Sequence, residues 1–225
     1  MLRVSHILFV FIFSSAIISC NKDYSIIQGE VEDPVLWNEY VYLLASDSPI
    51  TKDVDSTMVL NGKFRFKIPA DSTKFKVLRI TPKFPVIAED LIVITEKGEI
   101  LVELAWESKG EGTPLNEALQ QWKERKIYID SIQWSIHQQR RNGNLSQAEL
   151  DSINNYSLEI RNMFLEENED MIRENFQNGI GLLIFKLFYH SFSADFKNEV
   201  MRNTGNMYFE NDAQLRNIVT SISQY

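Results

Sequence analysis

The stretch TMVLNGKFRFKI, residues 57–68, decides the fold of the first half of the chain. It contains two short apolar runs that meet at Asn61-Gly62, and the second run alternates charged and apolar side chains. Such alternation is typical of a strand with one buried face. Asn-Gly favours a tight turn between strands because both residues tolerate a positive φ. The stretch therefore predicts a β-hairpin.

Similar strand patterns flank this hairpin on both sides. The predicted strands, rich in β-branched, aromatic and aliphatic residues, are Tyr24–Val31, Tyr40–Ala45, Thr57–Leu60, Lys63–Ile68, Phe75–Thr81, Leu91–Thr95 and Glu99–Ala105. Lys97-Gly98 separates the last two strands and predicts a second hairpin. Pro82 and Pro85 indicate a loop or a sheet edge. Short strands with turns between them predict an antiparallel β-sandwich or partial barrel.

The hydrophobic period changes after Gly110-Glu111-Gly112, which is interpreted as a plain turn. Thr113 is expected to cap a helix whose first residue is Pro114. Apolar residues then recur at helical spacing until Asn142-Gly143-Asn144, which predicts a break. The second half of the chain is therefore predicted to be helical.

Further helices follow this break. Ser146 and Glu149 form a capping box at the start of the second helix, and Asn178-Gly179 predicts its end. Ile180–Phe188 is apolar on most faces and predicts a central, buried helix. Shorter helices are expected near Ala194–Asn203 and Asp212–Ser223. The predicted fold class is therefore α+β, with an N-terminal sandwich followed by a C-terminal helical bundle.

The N-terminus has the pattern of a bacterial lipoprotein signal. Arg3 precedes the apolar run Ile7–Ile18, which is shorter than the roughly 20 residues of a membrane-spanning helix. Ile17-Ile18-Ser19-Cys20 matches a lipobox, so we expect cleavage before Cys20 and acylation at that residue. Cys20 is the only cysteine, which excludes disulfides and a Cys-x-x-Cys pair in the mature chain.

These patterns predict three segments: a signal peptide, 1–19; a β-sandwich domain, 20–112; and a helical region, 113–225. The mature protein is expected to be held by its N-terminal lipid at the outer membrane, facing the periplasm or the cell surface. The chain has 23 basic and 31 acidic residues, a net charge of −8, and no basic stripe. Nucleic acid is therefore not an expected partner, since phosphate binding requires clustered Lys and Arg.

The sequence carries no recognisable catalytic or metal-binding motif, so we predict neither an enzyme nor a cofactor. It lacks a Gly-rich phosphate loop, a GxSxG elbow and an HExxH motif. His137 and His190 lie on separate predicted helices, and neither has a carboxylate at ligand spacing. Glu166–Asp170 is acidic but lacks the alternating ligands and central glycine of a calcium loop. It is expected to be a solvated helix face.

The four tryptophans suggest carbohydrate binding as an alternative, because aromatic faces stack on sugars. Trp122 falls on the apolar stripe of its helix and is expected in the core. Trp106 ends a strand and is expected to cover the sandwich, while Trp134 lies further along the first helix. Trp37, in the loop Asp33–Asn38, is the best candidate for an exposed ligand contact, with ordinary packing as the simpler explanation.

The order of several short motifs resembles a known family. After the lipobox, the matching motifs are Tyr24–Gly29 (YSIIQG), Val41–Leu43, Asp55-Ser56, Asn61–Phe66, Gly112–Asn116 (GTPLN), Glu167-Asn168 and Asn178–Gly181 (NGIG). This order is similar to the N-terminal DUF4369-like domain, with its helical extension, of bacterial envelope thiol–disulfide oxidoreductases of the AhpC/TSA and TlpA type. The resemblance implies an association with a thioredoxin-like domain. No cysteine follows Cys20, so the family's redox chemistry is not carried over.

Four hypotheses follow. The first is an accessory or binding lipoprotein of the envelope without its own redox centre. The second is the non-catalytic part of an oxidoreductase system, acting with a separately encoded thioredoxin-like protein, or a truncated oxidoreductase. The third is a glycan-binding surface lipoprotein that uses Trp37. The fourth is a hydrolase, which would need His137 or His190 beside a carboxylate and a hydroxyl.

Overall fold

A computed structural model describes residues 23–45, 54–205 and 207–208. The lipobox residues Ile17, Ile18 and Ser19, the acylation site Cys20, and the helix expected at 212–223 lie outside the described residues. The lipobox, the acylation site and this last helix therefore stay predictions.

The described residues contain eight strands, four α-helices and one short 3₁₀-helix, Pro34–Leu36, with defined bounds. The strands are β1 (Tyr24–Val31), β2 (Tyr40–Ala45), β3 (Asp55–Met58), β4 (Lys63–Pro69), β5 (Asp71–Ile80), β6 (Leu91–Thr95), β7 (Gly98–Leu104) and β8 (Lys109–Glu111). The helices are α1 (Pro114–Asn142), α2 (Gln147–Glu174), α3 (Gly179–Phe188) and α4 (Ala194–Thr204). The α+β class, with an N-terminal sandwich and C-terminal helices, is confirmed.

The strands form two four-stranded sheets, in the orders β4-β1-β7-β8 and β3-β2-β5-β6. Neighbouring strands run antiparallel except β1 and β7, which are parallel with Ser25 opposite Gly98. The facing sides of the two sheets enclose a core that includes Ile27, Leu78 and Ile100, each fully buried. The sandwich prediction therefore holds, although one of its strand pairs is not antiparallel.

The two predicted hairpins have different outcomes. At Asn61-Gly62 the turn forms with positive φ at both residues, and Leu60 and Lys63 exchange backbone hydrogen bonds of 2.8 and 3.0 Å. Beyond that bridge, β3 and β4 diverge into opposite sheets, so the turn is confirmed but the predicted pairing of the two strands is wrong. The hairpin predicted across Lys97-Gly98 is wrong, because β6 and β7 also belong to opposite sheets. A local turn signal does not encode which strands then pair.

The prediction of a plain turn at Gly110-Glu111 is also wrong. Both residues belong to the edge strand β8, which pairs antiparallel with β7. The strand is only three residues long and lacks β-branched side chains, so its sequence gives no strand signal. A side chain at Gly110 would start 3.3 Å from Leu91, so glycine lets this edge approach β6 closely.

Strand β6 is buried on both faces, which explains its unbroken apolar sequence. Leu91 and Val93 face the sandwich core, whereas Ile94 packs against the helices. Strands covered on both faces read as continuous apolar runs. At its β5–β6 end, the sheet β3-β2-β5-β6 therefore lies between the other sheet and the helical layer.

The helical layer is built on α1 and α2. Hydrogen bonds join Gln133 of α1 to Ser157 of α2, and Arg125 of α1 to Glu167 of α2. The capping box that starts α2 and the apolar α3 are confirmed. Every residue from the start of α3 to Phe185 is buried. None of the described helices is both long and apolar enough to cross a membrane.

Candidate functional site

The candidate binding site is a cleft between α1, α2 and the end of α3, called here the helical cleft. Its volume is about 440 Å³, within the range of small-molecule sites. Its apolar walls are formed by Ile129, Leu158, Phe164, Leu165 and Phe188. Its polar lining comprises Lys126, Asp130, Gln133, Arg161, Asn162, Asn168 and Ser191.

Asn168 is the unusual member of this lining because its side chain is fully buried. Its Oδ1 accepts a 2.8 Å hydrogen bond from Nε1 of Trp122. An indole N–H can only donate, so this contact fixes which amide atom is the oxygen. The Nδ2 group is then left with no hydrogen-bond partner among the described residues.

Aromatic rings surround this end of the helical cleft. The ring of Phe188 is edge-on to Trp122, with centroids 6.4 Å apart, and to Phe164, with centroids 5.7 Å apart. Such interlocked rings hold their positions by packing and keep water away from their neighbours. The amide of Asn168 is therefore held rigidly in an apolar setting. An unpaired buried donor there costs roughly 1–3 kcal/mol, which a bound acceptor would offset.

Three charged side chains line the same cleft. Lys126 and Asp130 pair with each other at 2.6 Å across one turn of α1. Arg161 is exposed and forms no hydrogen bond or ion pair within the described part of the chain. The cleft therefore presents one neutralised pair and one cation that is available to a ligand.

A second cavity, of about 340 Å³, lies between α1 and the strands β6 and β8, and it shares Lys126 and Asp130 with the helical cleft. Its polar groups have partners within the protein. The side-chain amide of Asn116 bonds both backbone groups of Ile94 at 2.9 Å. Lys123 donates to Glu89 and to the carbonyl of Ser108 at 2.5 and 2.6 Å. The hydrogen-bonding groups of these side chains are therefore already satisfied within the protein, which favours the helical cleft as the candidate site.

The sequence pattern only partly indicated this site. Glu166 and Asp170 are exposed, as expected for a solvated face, but Asn168 between them is buried. The available signal was its position four residues after Phe164, on the apolar stripe of α2. A polar residue on such a stripe has to find an internal partner or a ligand. The partner Trp122 lies 46 positions earlier and could not be inferred from spacing.

Trp37, the predicted ligand contact, is half-buried against the sandwich core. Its Nε1 donates to the carbonyl of Val31 at 3.0 Å, and its ring lies over Gly62 in the Asn61-Gly62 turn. Packing accounts for this position, and the ligand contact stays a prediction.

The other tryptophans differ in exposure. Trp122 packs against the helical core, as predicted. Trp106 does not cover the sandwich, because 74% of it is exposed beyond the end of β7. Trp134 is 62% exposed on α1. An aromatic at a strand end is covered only if another element passes over it, and none of the described elements does so here.

The two histidines of the helical half are both exposed and lie apart. His137 neighbours the ring of Trp134 on α1, and His190 neighbours Tyr189 just after α3. Across the described ranges 23–45 and 54–205, no three His, Cys, Asp or Glu side chains are grouped as they would be around a metal ion.

The GTPLN motif joins the sandwich to α1. Thr113 occupies the N-cap position, but its hydroxyl does not accept a helix N–H as predicted. Instead it accepts from Asn116 Nδ2 at 2.8 Å. The carboxylate of Glu96, from the turn after β6, accepts from the backbone N–H groups of Leu115 and Asn116 at 2.6 and 3.3 Å. A longer side chain from the turn after β6 thus caps α1.

The comparisons with known proteins give one family match. Residues 25–119 match the family model described as a domain of unknown function (DUF4369), and the match ends one turn beyond the GTPLN motif. No curated protein matches the chain. The chain therefore carries a DUF4369-like N-terminal domain.

Proposed function

We propose that this protein is an accessory lipoprotein of the bacterial envelope, anchored through acylated Cys20, which binds a small ligand in the helical cleft and has no redox centre of its own. The unpartnered Nδ2 of buried Asn168 carries the binding part of this proposal. The lipobox Ile17-Ile18-Ser19-Cys20 supports the anchor and the outer-membrane location.

The anchor is tested by the intact mass and detergent partitioning of the protein in envelope fractions. Wild type is expected to begin at Cys20, to carry acyl mass and to enter the detergent phase. Cys20→Ala removes the thiol that takes the lipid, so this variant is expected to leave the membrane fraction. An unacylated wild-type chain that still carries residues 1–19 would contradict the proposal.

Ligand binding is tested by filling the helical cleft. Leu158, on the cleft wall, is 56% exposed, so Leu158→Trp blocks the cleft without disturbing the core. Glu159→Trp places the same bulk at the next, exposed position of α2, outside the lining, and serves as the control. Small molecules that co-purify with each full-length variant are identified by mass spectrometry.

A compound is expected with wild type and with Glu159→Trp but not with Leu158→Trp. The same set of compounds on all three proteins, or none on wild type, would reject the cleft as a binding site. Thermal unfolding of the three proteins shows whether each variant is folded, so loss of binding is not confused with loss of structure.

The resemblance of the motif order to envelope thiol–disulfide oxidoreductases motivates a second proposal, about the protein partner. The DUF4369-like domain spans residues 25–119, and Cys20, which is expected to be acylated, is the only cysteine. Disulfide exchange needs a thiolate nucleophile and a resolving thiol. We propose that a separately encoded thioredoxin-like envelope protein supplies them. Cross-linking in intact cells should enrich such a protein relative to an unrelated lipoprotein, and equal recovery on both would reject this partner.

A further inference from the structure

We infer that the helical cleft takes a small amphipathic acid with two polar ends: a neutral hydrogen-bond acceptor held by Asn168 and an anionic group held by Arg161, joined by an apolar chain. This inference rests on the proposed function, since it requires the cleft to be a binding site. It adds the chemical class of the ligand.

The spacing along α2 separates the backbone positions of the two residues that would hold these ends. Arg161, Leu165 and Asn168 stand at i, i+4 and i+7 and therefore share one face of the helix. Seven residues of α-helix span about 10.5 Å along its axis. Leu165 lies between the polar ends, and Ile129 of α1 is on the opposite wall. A ligand lying along this face would therefore present, in order, an acceptor to Asn168, an apolar chain to Leu165 and an anion to Arg161.

The buried end favours a neutral oxygen. Asn168 is fully buried beside Phe164, Phe188 and Trp122, and no charged residue of the lining lies on its turn of α2. A carboxylate placed there would lose its hydration without gaining a cation as partner. An amide donor is matched by a hydroxyl, carbonyl or ether oxygen at hydrogen-bond distance.

The exposed end favours an anion. Arg161 has no partner within the described residues, while Lys126 is already paired with Asp130. The three charges therefore leave a net positive cleft, which repels a cationic group. A guanidinium offers parallel N–H donors that match the two oxygens of a carboxylate.

The test uses 8-hydroxyoctanoate, whose extended chain is about as long as the axial spacing of Arg161 and Asn168 on α2. It is compared with octanoate, which lacks the hydroxyl, with 1,8-octanediol, which lacks the anion, and with 8-amino-1-octanol, which is cationic. Dissociation constants are measured by titration calorimetry on the full-length protein. Loss of either polar end is expected to weaken binding about fivefold to tenfold, and the amino alcohol is expected to bind weakest.

Arg161→Gln tests the anionic end from the protein side. This variant should bind 8-hydroxyoctanoate only as tightly as wild type binds the diol, while its affinity for the diol is unchanged. Arg140→Gln, an exposed position near the end of α1 and outside the lining, is the control and should bind all four probes like wild type. The ligand series tests Asn168 without a substitution that would leave Trp122 unpartnered.

Two results would overturn the ligand class: octanoate binding as tightly as the hydroxy acid, or the cationic probe binding as tightly as the anionic one. If either occurs while Leu158→Trp still loses a co-purifying compound, the proposed function stands and only the ligand class is wrong. If no probe binds and Leu158→Trp loses nothing, the proposed function has failed as well.

Discussion

Asn116 shows how one residue can connect two layers of this molecule. It is 2% exposed, and its side-chain amide accepts from the N–H of Ile94 and donates to the carbonyl of Ile94. It therefore takes the place of a neighbouring strand along the free edge of β6. Edge strands leave backbone groups unpaired, and a buried edge has to satisfy them.

Asn116→Leu is expected to lower the free energy of unfolding by about 2–4 kcal/mol, because both backbone groups of Ile94 would lose their partner in a buried setting. Urea unfolding followed by tryptophan fluorescence measures the loss. Asn154→Leu, at an exposed position of α2, makes the same chemical change and should shift stability by less than about 0.5 kcal/mol. Equal stability of the two variants would show that the Ile94 contacts do not matter.

The sequence marked Asn116 and Asn168 only as polar residues near apolar runs. Their partners, Ile94 and Trp122, lie 22 and 46 positions away. A spacing pattern reports which face of an element is buried, but it carries no information about which distant group meets that face. The candidate site could therefore be suspected from the stripe of α2, but its unpaired amide could not be predicted.

At the scale of elements, the NGIG motif sets how closely α3 approaches its neighbours. Asn178 caps the helix, its Oδ1 accepting from the N–H of Ile180 at 2.9 Å. A side chain at Gly179 would start 3.0 Å from Ile94, and one at Gly181 would overlap the carbonyl oxygen of Asn175 and the hydroxyl of Tyr208. The two glycines thus let α3 pack directly on β5–β6 and on the end of α2.

Gly181→Ala is expected to destabilise the protein by about 2 kcal/mol, although alanine normally stabilises a helix by about 1 kcal/mol relative to glycine. The added methyl group would overlap the backbone carbonyl oxygen of Asn175, and this overlap cannot be relieved by moving a side chain. Thermal and urea unfolding give the change. Leu187→Ala, at a 54% exposed position of the same helix, is the control and should be close to neutral. A stabilised Gly181→Ala would contradict the close approach.

Arg173 joins α2 to α4 through Glu199, with N–H to carboxylate distances of 2.9 and 3.2 Å. The hydrogen bond from Arg173 lowers the pKa of Glu199 below its ordinary value of 4.5. A carboxyl group with a depressed folded-state pKa stabilises the fold above its unfolded pKa, and this contribution disappears as pH falls through the folded value.

Glu199→Gln is therefore expected to be less stable than wild type near pH 7 and equally stable well below pH 4. Urea midpoints at several pH values follow the difference. Because Glu199 is at the surface, the effect is expected to be small and to shrink as salt is added. Glu166→Gln makes the same chemical change at an exposed position of α2 and serves as the control variant. If the urea midpoints of Glu199→Gln and wild type differ by the same amount at all pH values, the ion pair is ruled out as the cause of that difference.

The elements themselves were largely predictable, but their pairing was not. Helix starts at Pro114 and Ser146 follow from local capping and proline rules, which involve only neighbouring residues. The parallel pairing of β1 with β7 joins residues about 73 positions apart and rests on the packing of whole sheets. Pairing that depends on whole sheets also explains why the hairpin predicted at Lys97-Gly98 is wrong and why strand β8 was not predicted.

At the scale of the whole molecule, the sandwich and the helices share one layer. Phe75 of β5 and Ile94 of β6 are 7% and 0% exposed, and both pack against the helical core that includes Ile180 and Phe185. The matched family segment ends at residue 119, inside α1. It therefore includes this sheet but only the first turns of the helices that pack on it. The family domain in this chain therefore depends on residues beyond the family match.

A chain truncated after Leu119 is expected to expose the helix-facing side of β5 and β6 and to bind a hydrophobic dye or self-associate, since large exposed apolar patches drive association. The full chain should instead unfold in one step, with far-ultraviolet circular dichroism and tryptophan fluorescence changing at the same urea concentration. Separate transitions for the helical and β signals, or a monomeric truncated chain with the urea midpoint of the full protein, would show that the sandwich is stable alone. The shared core predicts the opposite, because Ile94 and Phe75 lie in the helical cluster and not in the sandwich cluster.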